Sequence, residues 1–207
     1  LQVGGMQLFR MESSDTSDKV MPRTTQIVTY ISVLYLALTG LCALLYWFGG
    51  MSGFDAITHA MTTIATGGFS NHDASIGFFK SPVIDATATV FMVIGGMPFV
   101  LYLQAIRGAP ARLIRDSQVR WFLVIVFMSI IIMWFYRAGV VEDSALARLR
   151  SVAFNVVSVI TGTGYATEDY SAWGPFAVSA MFFLMFVGGC AGSTTCGIKI
   201  FRFQVLY

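Results

Sequence analysis

Long stretches without charge dominate the pattern of hydrophobic and polar positions along the chain. Residues 25–48 form an uncharged run of 24 residues, enough to cross a hydrocarbon layer of about 30 Å at about 1.5 Å per residue. Uncharged runs at 86–106 and 121–136 follow, and a fourth apolar stretch at 173–198 is long enough to span but is interrupted. The pattern predicts four membrane-spanning segments, the last of them broken.

The break in the fourth segment falls at 188–197, where four glycines and three hydroxyl residues occur within ten positions. Because unpaired backbone groups in lipid are costly, a broken helix persists only where it is packed in protein or lines a water-filled path. We expect the hydroxyls of Ser193, Thr194 and Thr195 to satisfy freed backbone groups and the glycines to permit rearrangement.

Two shorter segments, 53–65 and 145–160, mix apolar and polar residues and are too short to span the membrane. Each is followed by a burst of Thr and Gly, at 66–70 and at 161–165. Half a helix followed by a Gly-rich loop is typical of a chain that enters the membrane and turns back.

The order of span, half-helix, Thr-Gly loop and span therefore occurs twice, about 95 residues apart. An offset of 95 places Thr66 on Thr161, an offset of 96 places Gly68 on Gly164, and one residue of slack in a loop reconciles the two registers. Both copies run in the same direction, so they are parallel repeats about an axis along the membrane normal. This is the symmetry of a pore rather than of an inverted-repeat transporter.

Composition removes the soluble classes of protein. The chain of 207 residues is 56% hydrophobic and 12% charged, with a mean hydropathy of +0.71, whereas soluble domains carry about a quarter charged residues. A water-soluble globule, a disordered chain and a disulfide scaffold are excluded. Cys42, Cys190 and Cys196 lack companion metal ligands, and we interpret them as packing residues.

The charges, which sum to +2, are divided unevenly between the two sides of the predicted membrane segments. The side with both chain ends and the loop 107–120 carries nine basic and four acidic residues, and the other side carries four basic and seven acidic residues. The positive-inside rule then predicts that both ends and this loop are cytoplasmic and that the Thr-Gly loops lie on the outer side.

The Thr-Gly loops have the chemistry of a cation path. A dehydrated monovalent cation needs several oxygen ligands that are dipoles rather than full charges. Segments 64–68 and 160–164 offer consecutive carbonyls, Thr hydroxyls and Gly where φ is unusual, and the half-helices before them direct negative C-terminal ends at the ion. Alternatively, the Thr/Gly pairs only allow close packing or a turn at the interface, but their recurrence in two loops favours the ion path.

Three motifs, at 63–77, 160–166 and 189–199, resemble the Trk/Ktr/HKT superfamily of potassium uptake proteins, nearest to its bacterial TrkH branch, over nearly the whole chain. The resemblance implies an all-α integral membrane fold of tandem M1-P-M2 repeats with re-entrant half-helices. Members carry four repeats around one pore, so we expect the end of the first repeat followed by the second and third. The implied divisions are 1–22, the end of a preceding repeat and a cytoplasmic connection; 23–107, a pore repeat with filter loop 65–69; 108–118, a cytoplasmic loop; and 119–207, a pore repeat with filter loop 160–164 and gate loop 188–197.

The resemblance also implies functional residues. Gly67 and Gly162 correspond to filter glycines, and the segment 188–197 corresponds to an intramembrane gate below the filter, in which Cys196 stands where many relatives have Gly. The implied filter residues are Ala65, Thr66, Gly67, Gly68, Ile160, Thr161, Gly162 and Thr163. The implied gate residues are Gly188, Gly189, Gly192, Ser193, Thr194, Thr195, Gly197 and Lys199.

The function that the resemblance implies is potassium uptake across the bacterial inner membrane, with K⁺ as the transported ion, no cofactor in this chain and no enzymatic activity. It further implies a homodimer in the lipid bilayer, a cytosolic nucleotide-binding regulatory subunit of the TrkA type, and no nucleic-acid partner. Three alternatives stay open: Na⁺ or mixed Na⁺/K⁺ transport, a scaffold subunit without an ion path, and a membrane enzyme that uses His59, His72 and Asp73.

The sequence also indicates roles for several other charged residues. Asp85 opens the second span, and we expect it to cap that helix. Lys199 either donates to carbonyls of the gate loop or anchors its helix at the interface. Asp73, Glu168 and Asp169 follow the Thr-Gly loops, where they either concentrate cations or belong to a solvated loop.

Overall fold

The computed structural model describes residues 24–139 and 144–206, which form helices joined by loops. The connection predicted over 1–22 lies outside the described residues. Within those ranges the structure contains no strand beyond one isolated bridge between Val187 and Ile198, which confirms the predicted all-α class. The α-helices are α1 Thr24–Phe48, α2 Gly53–Ile64, α3 Pro82–Gly95, α4 Phe99–Ile106, α5 Ala111–Arg115, α6 Ser117–Ala138, α7 Ala145–Ile160, α8 Pro175–Leu184 and α9 Ile200–Leu206, with 3₁₀ turns at Ser75–Phe78 and Tyr170–Trp173.

Two helices are individually long and apolar enough to cross a membrane. Helix α1 has 25 residues and α6 has 22, and many of their large apolar side chains point away from the protein, including Leu36 on α1 and Phe127 on α6. In a soluble protein such surfaces would be unfavourable, whereas in lipid they are the expected outer face. The two helices agree with an integral membrane protein.

The predicted span at 86–106 is not one continuous helix, which corrects the sequence interpretation. Helix α3 ends at Gly95, α4 begins at Phe99, and their axes differ by 95°. Pro98 lacks a backbone N–H for a continuing helix. Gly96 packs against the ring of Phe122 so closely that a Cβ there would lie 2.7 Å from a ring atom. The bend therefore depends on a small residue and a proline within an apolar run.

The fourth apolar stretch is broken in the structure as well. Helix α8 ends at Leu184, and helical structure resumes only at Ile200. Between them, the N–H of Gly188 donates to the carbonyl of Ile198 at 2.9 Å, and the N–H of Ile198 donates to that of Phe186 at 2.9 Å. The intervening residues 188–197 form a closed loop at the depth of the apolar helices.

The two half-helices begin with serine caps and end at the Thr-Gly loops. Ser52 Oγ accepts the N–H of Asp55 at the start of α2, and Ser144 Oγ accepts the N–H of Ala147 at the start of α7. A serine in this position satisfies one of the unpaired N–H groups of the first turn. Helix α7 packs against α3, α6 and α8, and its last seven residues, 154–160, are all buried. Protein therefore surrounds the end of α7.

An ion pair joins the two repeat-like halves. The carboxylate of Asp85 on α3 lies 3.1 Å from the guanidinium of Arg150 on α7. Ser81 is the N-cap residue of α3, so the expectation that Asp85 caps this helix is wrong. Asp85 is 8% exposed, and a carboxylate this buried needs a partner. The pair fixes where α7 packs along α3.

We predict that Arg150→Met lowers the free energy of unfolding by about 1–3 kcal/mol, because it leaves the buried Asp85 carboxylate without its cation. Thermal unfolding of the detergent-solubilised protein, followed by size-exclusion chromatography, measures the change. Arg115→Met, which removes an exposed arginine, is the matched control. Adding Asp85→Asn to Arg150→Met should recover part of the loss; equal stability of Arg150→Met and the control would contradict the assignment.

Candidate functional site

The first Thr-Gly loop leaves α2 through a tight turn. Ala65 continues the helical conformation, Thr66 adopts φ +49 and Gly68 adopts φ +67. The carbonyl of Thr62 accepts the N–H of Gly67 at 2.8 Å and that of Gly68 at 3.4 Å. The turn therefore uses N–H groups of the loop to satisfy the end of the helix, and it leaves the carbonyls of the loop for other partners.

The second loop leaves α7 with the same sequence of backbone conformations. Thr161 is helical, Gly162 has φ +68 and Gly164 has φ +83. The hydroxyls of Thr161 and Thr163 lie 2.8 Å apart and are buried, whereas Gly162 and Gly164 between and after them are exposed. Buried hydroxyls thus alternate with glycines that face an open side of the described chain.

The structure pairs the two loops at a uniform offset of 96. The half-helices end at Ile64 and Ile160, the first positive-φ residues are Thr66 and Gly162, and the second are Gly68 and Gly164. The one-residue adjustment that the sequence comparison placed in a loop is therefore not needed to align the two repeats. Gly67 and Gly162, which the resemblance singled out, do not occupy equivalent backbone positions.

The two loops touch each other through the backbone. A Cβ at Gly68 would overlap the carbonyl oxygen of Thr163, so only Gly fits at this contact. Farther out, the N–H of Gly77 donates to the carbonyl of Ala166 at 3.1 Å, and the N–H of Ala166 donates to Ser75 Oγ at 3.3 Å. The structure therefore brings the two predicted filter segments side by side.

Eight carbonyls in these two loops have no hydrogen-bond donor among residues 24–139 and 144–206. They belong to Thr66, Gly67, Gly68, Ile160, Thr161, Gly162, Thr163 and Gly164. The carbonyl of Ala65, in contrast, accepts the hydroxyl of Thr66 at 2.8 Å. A carbonyl with no donor at membrane depth is costly unless another ligand reaches it, so these oxygens are available to a cation.

The predicted gate loop lies against both Thr-Gly loops. Thr194 Oγ1 is 2.9 Å from the carbonyl oxygen of Ile64, 3.1 Å from that of Gly95 and 3.3 Å from Thr66 Oγ1. On the other loop, a Cβ at Gly162 would lie 3.2 Å from the Cβ of Cys196. The segment 188–197 therefore contacts the inner ends of both half-helix loops.

The same segment is tied to the bend between α3 and α4. The N–H of Cys190 donates to the carbonyl of Gly96 at 2.9 Å, and the N–H of Phe99 donates to the carbonyl of Gly192 at 3.1 Å. Gln118, at the start of α6, accepts the N–H of Ala191 through its side-chain oxygen at 3.0 Å. Sequence reasoning missed Gln118; its only signal is a polar residue at the start of an apolar run.

Glycines of the gate loop stand where backbones meet. A Cβ at Gly188 would overlap the carbonyl of Cys196, and a Cβ at Gly189 would lie 2.6 Å from the carbonyl of Gly96. Gly192 and Gly197 have φ +76 and +81. The loop as folded therefore requires these glycines for contact and for conformation.

Hydroxyls hold the gate loop together, as predicted. Thr195 Oγ1 accepts the N–H of Gly189 at 2.9 Å, and Ser193 Oγ donates to the carbonyl of Cys190 at 2.6 Å. Lys199 Nζ donates to the carbonyl of Thr195, so of the two interpretations of this lysine the structure shows the hydrogen bond to the loop.

The histidines do not pair with Asp73, as the enzyme alternative requires. His59 is fully buried, and its ring nitrogens lie 2.8 Å from the carbonyl oxygen of Asp55 and from Ser70 Oγ. His72 lies 3.3 Å from the carboxylate of Asp55 rather than beside Asp73, which is exposed. No group of three His, Cys, Asp or Glu suited to a metal occurs in the described part of the chain. These residues brace the outer end of α2.

The acidic residues that follow the second loop are partly used inside the protein. Glu168 pairs with Arg137 at 2.6 Å, and that guanidinium also reaches Ser151 Oγ at 3.1 Å and the ring of Trp173 at 4.4 Å. Asp169 accepts the N–H of Ser171 as the cap of a 3₁₀ turn. Both side chains therefore have structural contacts.

Comparisons with known proteins agree on one family. The model of the TrkH family, described as a cation transport protein, matches residues 1–207. The chain is 50% identical over 206 residues to the Trk system potassium uptake protein TrkI of Halomonas elongata, over 99% of this chain and 42% of that protein. It is 38% identical over 214 residues to the Trk system potassium uptake protein TrkH of Escherichia coli K12, over 100% and 44% of the two chains.

A solved structure gives the same result for the fold. The crystal structure of the potassium transporter TrkH from Vibrio parahaemolyticus matches with a TM-score of 0.85 and 34% identity, over 90% of this chain and 41% of that one. The chain spans less than half the length of the relatives that it matches.

We predict that Gly68→Ala lowers the free energy of unfolding by about 2 kcal/mol or more, because it adds backbone strain at φ +67 to an overlap with the Thr163 carbonyl. Gly53→Ala, where a Cβ meets nothing within 4 Å, is the control. Thermal unfolding in detergent compares the two. Equal stability would show that the two loops do not meet as described.

Proposed function

The chain belongs to the TrkH family of cation transport proteins, and on this premise we propose that it supplies two pore repeats of a potassium uptake protein. In this proposal, K⁺ passes along the backbone carbonyls of the two Thr-Gly loops. Membership in a transport family separates the chain from enzymes, and the buried, internally bonded His59 gives the enzyme alternative no support.

The observation that carries the proposed filter is the contact between two loops in which most carbonyls have no hydrogen-bond donor from the described residues. Gly68 meets Thr163, each loop follows a half-helix, and each exit turn consumes N–H groups. The C-terminal ends of α2 and α7 add partial negative charge at the same place. Neutral oxygens of this kind replace the water of a monovalent cation and still release it. The proposed filter comprises Ala65 to Gly68 and Ile160 to Gly164, in which Ala65 opens the first loop while its own carbonyl accepts the Thr66 hydroxyl.

The proposed gate is the loop 188–197. Its Thr194 and Cys196 lie directly against the inner ends of the two filter loops, so in this position the loop stands between the filter and the cytoplasm. Its attachments are three backbone hydrogen bonds to the α3–α4 bend, the hydroxyl contacts of Thr194 and one bond to Gln118. A segment held by a few such bonds is able to move as a unit when they break.

The choice of ion, the membrane and the partners complete the proposal. The relatives are named as potassium uptake proteins, which favours K⁺ over the Na⁺ and mixed alternatives. The excess of basic residues around the loop 107–120 supports an inner-membrane orientation with this loop in the cytoplasm. A homodimer and a nucleotide-binding regulatory subunit of the TrkA type follow from the resemblance, and the exposed arginines of α5 lie on the side where such a subunit would approach.

We predict that Gly67→Ser and Gly164→Ser each lower ⁸⁶Rb⁺ uptake by about tenfold or more, a loss of about 1.4 kcal/mol of ion stabilisation. A Cβ at Gly67 lies 3.4 Å from the Phe69 ring, and one at Gly164 meets nothing within 4 Å, so neither change introduces an overlap. Gly164 has φ +83, which adds backbone strain in its variant, so the amount of folded protein is measured beside uptake and Gly67→Ser decides where Gly164→Ser fails to fold. Uptake and growth at limiting K⁺ are measured in the complete transporter that contains this chain. Gly40→Ser, where a Cβ also has no contact within 4 Å, is the control. Unchanged uptake in both Gly67→Ser and Gly164→Ser would contradict the filter assignment.

We predict that Thr194→Val opens the gate loop more often, because it removes the hydroxyl contacts with Ile64 and Gly95. Cys196 is the exposed thiol of the three cysteines, since Cys42 and Cys190 are buried. Its modification by a methanethiosulfonate reagent, followed by mass spectrometry of the peptide, should be about fivefold faster in the variant, as expected for one lost hydrogen bond.

The control for the gate is Ser193→Ala, which removes a bond within the loop and leaves the contact with the filter in place. Uptake of ⁸⁶Rb⁺ should rise in Thr194→Val and stay near the parent rate in Ser193→Ala. A slower modification of Cys196 in Thr194→Val, or equal rates in the two variants, would contradict the role of this contact.

A further inference from the structure

Tyr165 follows the second filter loop and is buried, with 2% of its surface exposed. Its hydroxyl crosses to α2, in the other repeat, where it lies 3.1 Å from the carbonyl oxygen of His59 and contacts the hydroxyl of Thr62. Ser158 Oγ donates to the backbone carbonyl of Tyr165 at 2.7 Å. A buried tyrosine hydroxyl generally requires a partner, and here the partners all belong to a different repeat or to α7.

Thr62 connects this tyrosine with the first filter loop. Its hydroxyl donates to the carbonyl of Phe69 at 2.9 Å, and its own carbonyl accepts the N–H groups of Gly67 and Gly68. With the Thr62 hydroxyl donating to Phe69, the single proton of the Tyr165 hydroxyl is directed at Thr62 Oγ1 and is shared with the more distant carbonyl of His59. One threonine therefore holds the end of the first loop and, through Tyr165, the end of the second.

The connection is asymmetric between the repeats. At the offset of 96, the counterpart of Tyr165 is Phe69, which has no hydroxyl and is 78% exposed. Phe69 therefore cannot make the corresponding bond to a half-helix. The Thr62–Tyr165 contact is a specific bridge between two loops and not a feature that every repeat carries.

The bridge is embedded in a buried hydroxyl network that limits its movement. Thr63, next to Thr62, is fully buried, and its hydroxyl lies 2.8 Å from that of Tyr46 on α1. Tyr46 is fully buried as well. In a low-dielectric interior such a network is stiff because each unpaired member would be costly. The separation of the two loops is thereby set by side chains behind them.

We propose that the Thr62–Tyr165 hydroxyl pair sets the spacing of the two filter loops and so determines which monovalent cation fits between their carbonyls. This inference rests on the proposed filter. Selectivity in a carbonyl site depends on the size of the cavity and on how freely its dipoles adjust. Loss of the bridge lets the loops relax around a smaller ion and weakens discrimination, while the carbonyl ligands themselves remain. Thr62 and Tyr165 are positioning residues, because they act through the loops and do not touch the ion.

The test is a double-mutant cycle on selectivity in the complete transporter. Tyr165→Phe, Thr62→Val and the double variant are compared by the ratio of K⁺ to Na⁺ required to halve ⁸⁶Rb⁺ uptake. Each single variant should reduce the preference for K⁺ by about threefold to tenfold, the effect of one lost hydrogen bond. The double variant should be no worse than the more affected single one, because the two changes remove the same contact.

Two control variants separate the bridge from general damage. Thr62→Ser keeps the hydroxyl and should keep the parent preference. Tyr170→Phe removes a tyrosine hydroxyl outside the bridge, on a 3₁₀ turn, and should leave both rate and preference unchanged. Thermal unfolding in detergent is recorded for every variant, so that a variant that fails to fold is recognised and the other single variant decides.

An unchanged K⁺ preference in Tyr165→Phe and Thr62→Val, with or without a lower rate of uptake, would overturn the inference. Strictly additive effects would do the same. This outcome is distinguishable from failure of the filter itself. If Gly67→Ser and Gly164→Ser reduce uptake while the bridge variants leave the K⁺ preference intact, the proposed filter is supported and the proposed role of the Thr62–Tyr165 bridge is wrong.

Discussion

The structure depends on one constraint, which is that a backbone N–H or C=O inside a bilayer must find a partner within the protein. Helices meet this requirement by themselves, but this chain places four non-helical stretches among its apolar helices: two Thr-Gly loops, the α3–α4 bend and the loop 188–197. The backbone N–H and C=O groups of these stretches form hydrogen bonds with one another. The carbonyls of Gly95 and Gly96, released by the bend, accept the N–H groups of Thr194 and Cys190. The position of each irregular segment is therefore set by the others.

The same constraint explains why the remaining carbonyls matter. After the turns have taken their partners, the carbonyl oxygens of 66–68 and 160–164 are without a donor in the described ranges. Unpaired acceptors are unfavourable in this environment, and a cation offsets that cost while it resides among them. A filter is thus a place where the protein leaves its own hydrogen bonding incomplete, with packed helices around it to prevent the loops from collapsing.

Hydropathy and length were sufficient to predict the regular elements. The half-helix predicted at 145–160 is α7 with the same bounds, and the first span differs from α1 by one residue. The bend at 95–98 was missed because an uncharged run carries no sign of a change in direction, although a Gly-Gly pair and a proline lie at that point. The pairing of Asp85 with Arg150 was beyond reach, since it depends on how α3 and α7 pack.

The register of the repeat shows why the site was harder to predict than the fold. Residue identity in the sequence aligned Thr66 with Thr161. The ends of the half-helices and the positive-φ residues instead align Thr66 with Gly162. Because the proposed ion ligands are backbone carbonyls, the loops need the same backbone conformation and not the same side chains. Residue identity is informative only where conformation demands it, as at Gly68 and Gly164, or where a side chain braces the loop from behind, as Tyr165 does. A filter of this kind is therefore recognised by its turns and supports before it is recognised by its sequence.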